Sequence, residues 1–250
     1  MKQGYLIYAQ GDKHLRYAIA CAESLKSFDQ KPICLVSDKD IASTVFDNVV
    51  VVEKNSDKFH VKNRSKLIEY SPFEETTVIE SDCLITQSLE NWWTKNKDCD
   101  LKFISQAYTY RQEPLDISYD RKTWAQNDLP NLYVACHYFK KTEFTKKFFD
   151  LVYEINTNEE LYKGHLPNRS PKVPSMDVAI CLATKLLDCN NKVAYTGDDP
   201  MFIHMKPYSQ GLAEPEENWS EKLGFYKNGN DVYIANFKQQ GILHFIEDVV

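Results

Sequence analysis

The stretch TTVIESDCLI, residues 76–85, decides how the chain is read. Thr76, Thr77, Val78 and Ile79 are β-branched residues suited to a strand covered on both faces, and the run then meets Glu80 and Asp82. If the strand stays extended, the two acids point to one face and Ser81 to the other, about 7 Å apart at a rise of ~3.3 Å per residue. Carboxylates so placed share a hard divalent cation, or hold a metal and a sugar hydroxyl. Without a cation they repel. A two-residue pattern also occurs on ordinary solvated loops, so its surroundings carry the argument.

Around this run, short apolar segments alternate with helical patterns. YLIYA (5–9) precedes Leu15, Ala18, Ile19, Ala22 and Leu25 at helical spacing; ICLVS (33–37) and VVVV (49–52) follow, then a helix over 60–70 and LKFIS (101–105). Strands alternating with helices predict an α/β fold: a mostly parallel sheet with helices on both faces, its ligand outside the carboxyl ends of the strands, where Glu80 and Asp82 stand. Residues 106–131 show no sustained period and read as a long functional loop. LYVACHYF is the next strand, and a helix carries Phe144, Phe148, Leu151 and Ile155 on one stripe. A Pro-rich connector (165–174) leads to SMDVAICLATKLL, a helix with Ser175 as N-cap, and GFYKNGNDVYIANF forms a C-terminal hairpin turning at Asn228-Gly229.

The 250 residues suffice for one α/β domain with its own core. Seven cysteines without a CxxC pair predict reduced, buried thiols in a cytoplasmic protein. No run approaches the length of a membrane span or a signal segment. A net charge of −6 disfavours a nucleic-acid binder that works by phosphate neutralisation. An anionic small molecule still binds such a protein where a metal or basic cluster reverses the field in one cleft.

SKLIEYSPFEETTVIESDCLITQSLENWW resembles the central segment of GT-A fold glycosyltransferases, in particular the glycogenin-like and bacterial lipopolysaccharide hexosyltransferase group. HLRYAIACAESL, NLYVACHYFKKTEFTKKFFDLV and SMDVAICLA are similar to further blocks of that group in the same order, and Glu80 stands where the group usually has Asp. The resemblance implies a GT-A-like, Rossmann-like fold, with residues 1–105 as the nucleotide-sugar-binding half and 106–250 as the acceptor-side half and C-terminal extension, and transfer of a hexose from a nucleotide-diphosphate sugar, UDP-sugar favoured, to a glycan or other hydroxyl acceptor with Mn2+ or Mg2+.

Residue by residue, the resemblance implies a metal set of Glu80, Asp82 and His204. His204 is preferred over His244 of GILHF because Lys206 follows it as a diphosphate contact. It further implies Ala9, His14 and Asp38 near the nucleoside, Arg64 and Lys66 beside the donor, and Asp177 facing the acceptor or sugar as the catalytic candidate. Tyr108, Tyr110 and Trp124 either stack on sugar rings or pack onto the domain. Two rival readings are a nucleotidyltransferase, which the single glycine of YAQGDKH argues against, and a non-catalytic nucleotide-sugar or glycan-binding protein. Transfer onto DNA bases is disfavoured by the net acidity.

Overall fold

The computed structural model describes residues 2–56, 60–116, 121–158, 165–166, 175–212 and 218–246. Most of the Pro-rich connector, residues 167–174, therefore lies outside the described residues. Strands β1 (Gln3–Ala9), β2 (Ile33–Ser37), β3 (Asn48–Val51) and β4 (Glu75–Glu80) are all parallel. They continue into β7 (Tyr133–Lys140), β6 (Leu101–Ile104) and β8 (Ala194–Tyr195), giving the order β3-β2-β1-β4-β7-β6-β8. Within this sheet β7 alone runs opposite to the rest. The mostly parallel sheet expected from the alternating pattern is present, and the buried apolar strands are those that a sheet covered on both faces requires.

Helices cover both faces. On one, α1 (Gly11–Lys26) buries Leu15, Ala18, Cys21, Ala22 and Leu25, and α4 (Glu90–Asn96) buries Trp92 and Trp93. Covering the other are α6 (Glu143–Thr157) and α7 (Met176–Leu186), with Phe148, Phe149, Val152, Ile180 and Ala183 in a second core. Each fully buried Leu, Phe or Met contributes about 1.5–3 kcal/mol, so these two stripes hold the sandwich together. The helix expected over 60–70 is two short ones, α2 (Val61–Arg64) and α3 (Leu67–Tyr70). The long aperiodic segment contains α5 (Lys122–Asn127).

Two features shape the carboxyl end of the sheet. First, β7 bulges toward β6: Phe103 faces His137, but Ile104 faces Tyr133, so Val134, Ala135 and Cys136 have no partner on β6, while Cys136 still pairs with Ile79 of β4. His137 closes the bulge by donating from Nδ1 to the carbonyl oxygen of Val134 at 2.9 Å, and bulges of this kind re-aim side chains beside sites. Second, a small sheet sits just past Glu80. Here β13 (Ile242–His244) lies between β5 (Cys83–Ile85), antiparallel, and β9 (Phe202–His204), parallel.

The C-terminal hairpin is present as β10 (Phe225–Asn228) and β11 (Asp231–Ile234), joined by Gly229, at φ 61°, and Asn230. The turn thus falls one residue beyond the sequence reading. The hairpin gains a third strand, β12 (Phe237–Lys238). All seven cysteines are free thiols, six of them buried. Among the described residues no helix is long and apolar enough to cross a membrane.

Candidate donor and metal site

Register brings the acids and a histidine together. Asp82 lies at the corner between β4 and β5, and its carbonyl oxygen accepts from the backbone N–H of Phe245 at 3.0 Å. Because Cys83 pairs with His244 and His244 with His204, the strand carrying His244 is the one next to the acidic corner. His244 Nε2 lies 3.2 Å from Asp82 Oδ2 and 3.7 Å from Glu80 Oε2. One ligand atom from each of Glu80, Asp82 and His244 falls within 4.8 Å of the others. Two hard carboxylate oxygens and one imidazole nitrogen suit manganese or magnesium.

Two clefts flank this cluster. The first, about 710 Å³ with its open mouth, is lined by Ala9, Gln10, His14, His60, Arg64, Glu80 and Asp82, among others. The second, about 460 Å³, shares Glu80 and adds Arg121, Trp124, Asp177, His204, Lys206 and His244. Acids and a histidine at the carboxyl end of a parallel strand, between two clefts, fit a ligand bound where open α/β sheets bind theirs.

Solved structures share this arrangement of strands. The chain aligns over 98% of its length with 97% of mouse xyloside xylosyltransferase 1, at TM-score 0.56 and 7% identity. It aligns over 98% of its length with 87% of the galactosyltransferase LgtC, solved with donor and acceptor sugar analogs, at TM-score 0.55 and 12% identity. The fold is GT-A. A third match is the glycosyltransferase GlyE of Streptococcus pneumoniae TIGR4, at TM-score 0.54 and 12% identity; 99% of this chain covers 56% of that one, so it spans little more than half the length of GlyE. No protein-family model matches the sequence, and no curated protein matches it.

Of the two histidines, His244 is the one that lies against the acids. His204, preferred from its neighbour Lys206, is buried one strand further from the acids, its Nδ1 3.1 Å from Nδ1 of His244. Burial, with His244, Lys206 and Arg121 nearby, pushes its pKa well below the usual histidine value. Neutral His204 can accept from His244 Nδ1–H. Nε2 of His244 then faces the carboxylates, where it donates to Asp82 Oδ2 when it carries a proton and would offer its lone pair to a cation bound in that proton's place. Burial pushes the Asp82 carboxyl up, but the charge and hydrogen bond of His244 hold it below its ordinary value.

The remaining sequence candidates separate into two groups. Arg64 lines the first cleft and ion-pairs with Glu80. Ala9 closes β1 in the same wall, and His14 lies 3.5 Å from Ser81 Oγ. Asp177 Oδ1 accepts from the Val134 N–H of the bulge and from Arg121 Nη2, each at 3.1 Å, while Lys206 lines the second cleft. Asp38 and Lys66 line neither cleft. Asp38 Oδ1 instead accepts from Gly11 N–H at 3.0 Å and anchors the start of α1, where Gly11 takes the left-handed φ of 80° that glycine adopts without strain. The Lys66 ammonium sits 5.7 Å above the Tyr153 ring of α6.

Sequence reasoning missed Gln10, Arg121 and His137. Gln10 donates to Asn55 O at 2.6 Å and accepts from Asn55 N–H at 2.7 Å, tying the segment after β3 to the end of β1 beside His60. Arg121 is buried, its guanidinium between Trp124 and Tyr133 at 3.7 and 4.2 Å. Trp124 therefore packs as well as lining the second cleft, and Tyr110 is buried against Phe237. His137 looked like one more residue of a buried strand. None of these carried a local signal, because each acts through a partner remote in sequence.

Burial pushes the His137 imidazole down to about 4, from an ordinary 6.5. The unfolded chain therefore takes up this proton first as the pH falls. The stability present above pH 6.5 is lost between 6.5 and about 4, by about 3 kcal/mol from this residue. Urea midpoints measured across that window should fall more steeply for the wild type than for His137→Phe, which has no proton to take up. Parallel slopes would remove His137 from the account.

Proposed function

We propose that this protein is a glycosyltransferase that moves a hexose from a UDP-sugar to a hydroxyl acceptor with Mn2+ or Mg2+. The observation that carries this reading is the convergence of Glu80, Asp82 and His244 at the end of β4, where the two clefts of a GT-A fold meet. A divalent cation held there by the three side chains would offset the charge that develops on the leaving nucleoside diphosphate. Ala9, Gln10, His14 and His60 form the nucleoside end of the cleft. Arg64 and Lys206, on either side of the acids, supply the positive charge that an anionic donor needs from a protein of net charge −6. Asp177, held by Val134 N–H and Arg121, is the carboxylate proposed to orient a hydroxyl of the sugar or acceptor.

A thermal-shift series with UDP and UDP-sugars, each with Mn2+, Mg2+ or EDTA, tests the reading, because a ligand of the native state raises the melting temperature by mass action. Stabilisation that disappears with EDTA and in Asp82→Ala supports it, and product release from a UDP-sugar separates an enzyme from a binding module. No shift with any donor at millimolar concentration would sink it.

The Arg64–Glu80 pair adds a sharper expectation. A guanidinium on Glu80 competes with any cation for that carboxylate. Arg64→Met should bind Mn2+ alone about three- to tenfold more tightly, yet bind UDP-sugar with Mn2+ more weakly through loss of the anion contact. Manganese titration by paramagnetic resonance reads the first effect. Unchanged or weaker Mn2+ binding contradicts the competition.

A further inference from the structure

Beyond the Arg64–Glu80 pair, the first cleft changes character. Its wall continues through Leu67, Val78, Val134, Phe149 and Met176, all belonging to the core under that face of the sheet, and through His137, which is 2% exposed. The cleft thus cuts into the edge of a hydrophobic core, and a bare hydroxyl placed there would leave most of that apolar surface uncovered. His137 carries the one polar side chain among these six residues. His137 Nδ1–H donates to Val134 O, so the neutral ring carries its lone pair on Nε2, and that atom has no hydrogen-bond partner among the described residues. Phe103 stacks on the ring, and Phe149 packs against it. A buried acceptor left in this state normally has an explanation in a ligand or a function.

The group that fits such a recess carries an N–H for the buried acceptor, an apolar end for the Val134, Phe149 and Met176 surfaces, and a carbonyl oxygen for the Arg64 guanidinium at its entrance. An acylamino group has all three within four heavy atoms. We infer that the transferred sugar is an N-acylated amino sugar whose acylamino group occupies this recess, its N–H donated to His137 Nε2. The assignment rests on the nucleotide-sugar reading above and makes His137 and Met176 specificity-determining residues for it. The rigid bulge of β7 fixes the acceptor, since the ring nitrogen that closes the bulge sets the orientation of the other.

The test is calorimetric titration of the wild type, with Mn2+ present, using UDP, UDP-glucose, UDP-galactose, UDP-N-acetylglucosamine, UDP-N-acetylgalactosamine and a UDP-6-deoxyhexose. At least one N-acetyl donor is expected to bind about tenfold or more tighter than its plain counterpart, the combined effect of a buried methyl and a completed hydrogen bond. His137→Gln, which keeps an acceptor, should retain part of that preference. His137→Phe should lose it while affinity for UDP itself is unchanged, and Met176→Gln, a polar residue of similar size, should shrink it. If UDP binds with metal but the N-acetyl and plain sugars bind equally, or the 6-deoxy donor binds best, the inference is overturned and the donor site stands. If UDP does not bind with any metal, the donor reading fails and the inference falls with it. Should His137→Phe fail to fold, the wild-type comparison still decides.

Discussion

Asp82→Ala is expected to lower metal-dependent donor turnover by about 10²- to 10³-fold or more, with little change in melting temperature. Asp82 is central to the cluster because His244 faces it most closely, at 3.2 Å, and because its own carbonyl oxygen holds the strand that brings His244 in. Truncation spares that backbone contact, so β13 keeps its place. What is removed is a desolvated carboxylate together with its favourable pairing to His244, and these opposing contributions leave a small net effect on stability. Activity, under the proposed function, loses the group that would bind the cation and thereby the diphosphate. Donor hydrolysis and Mn2+ titration, run beside a melting curve, separate the two. A variant within about tenfold of wild-type turnover, with unaltered metal dependence, would remove Asp82 from the site.

Arg121→Met should be the most destabilising change near the site, by about 3–5 kcal/mol, or roughly 6–15 °C in melting temperature for a chain of this size. Its guanidinium donates to Asn131 Oδ1 at 2.8 Å, Leu132 O at 2.7 Å and Asp177 Oδ1 at 3.1 Å while sandwiched between Trp124 and Tyr133. Removing it strands a carbonyl and a carboxylate and opens the ring stack that fastens α5 to β7. Lysine cannot reproduce the planar fork, so Arg121→Lys should recover less than half of the loss. A melting temperature within about 2 °C of wild type for Arg121→Met would show that the clamp carries little weight.

Much of the scaffold was legible locally. Short apolar runs marked β1 and β2, the β-branched run marked β4, the Leu15-to-Leu25 spacing marked α1, and Ser175 does accept from Val178 N–H as the cap of α7. These features depend on neighbours within one or two turns of chain, which is the range over which a sequence pattern speaks. The helix over 60–70 broke because His60 starts α2 from a left-handed conformation and Lys66 separates it from α3, neither of which periodicity reports.

The site was legible only in its sequence-local half. Glu80 and Asp82 could be paired from their spacing, since strand geometry sets which face each residue takes. The choice between His204 and His244 could not be made that way: it depends on the order of strands in a sheet whose first member, β5, is far in sequence from the other two, and where β13 happens to run between β5 and β9. Arg121 with Asp177, Gln10 with Asn55 and the unpartnered Nε2 of His137 depend equally on contacts across the fold. By itself the sequence determined an alternating α/β chain with two acids at the end of a buried strand, because burial and strand period are written into adjacent residues. Which imidazole meets those acids, which cations neutralise them and what lines the recess beyond them were decided by tertiary structure alone, because a one-strand change in pairing moves a side chain about 5 Å, farther than any metal ligand can reach.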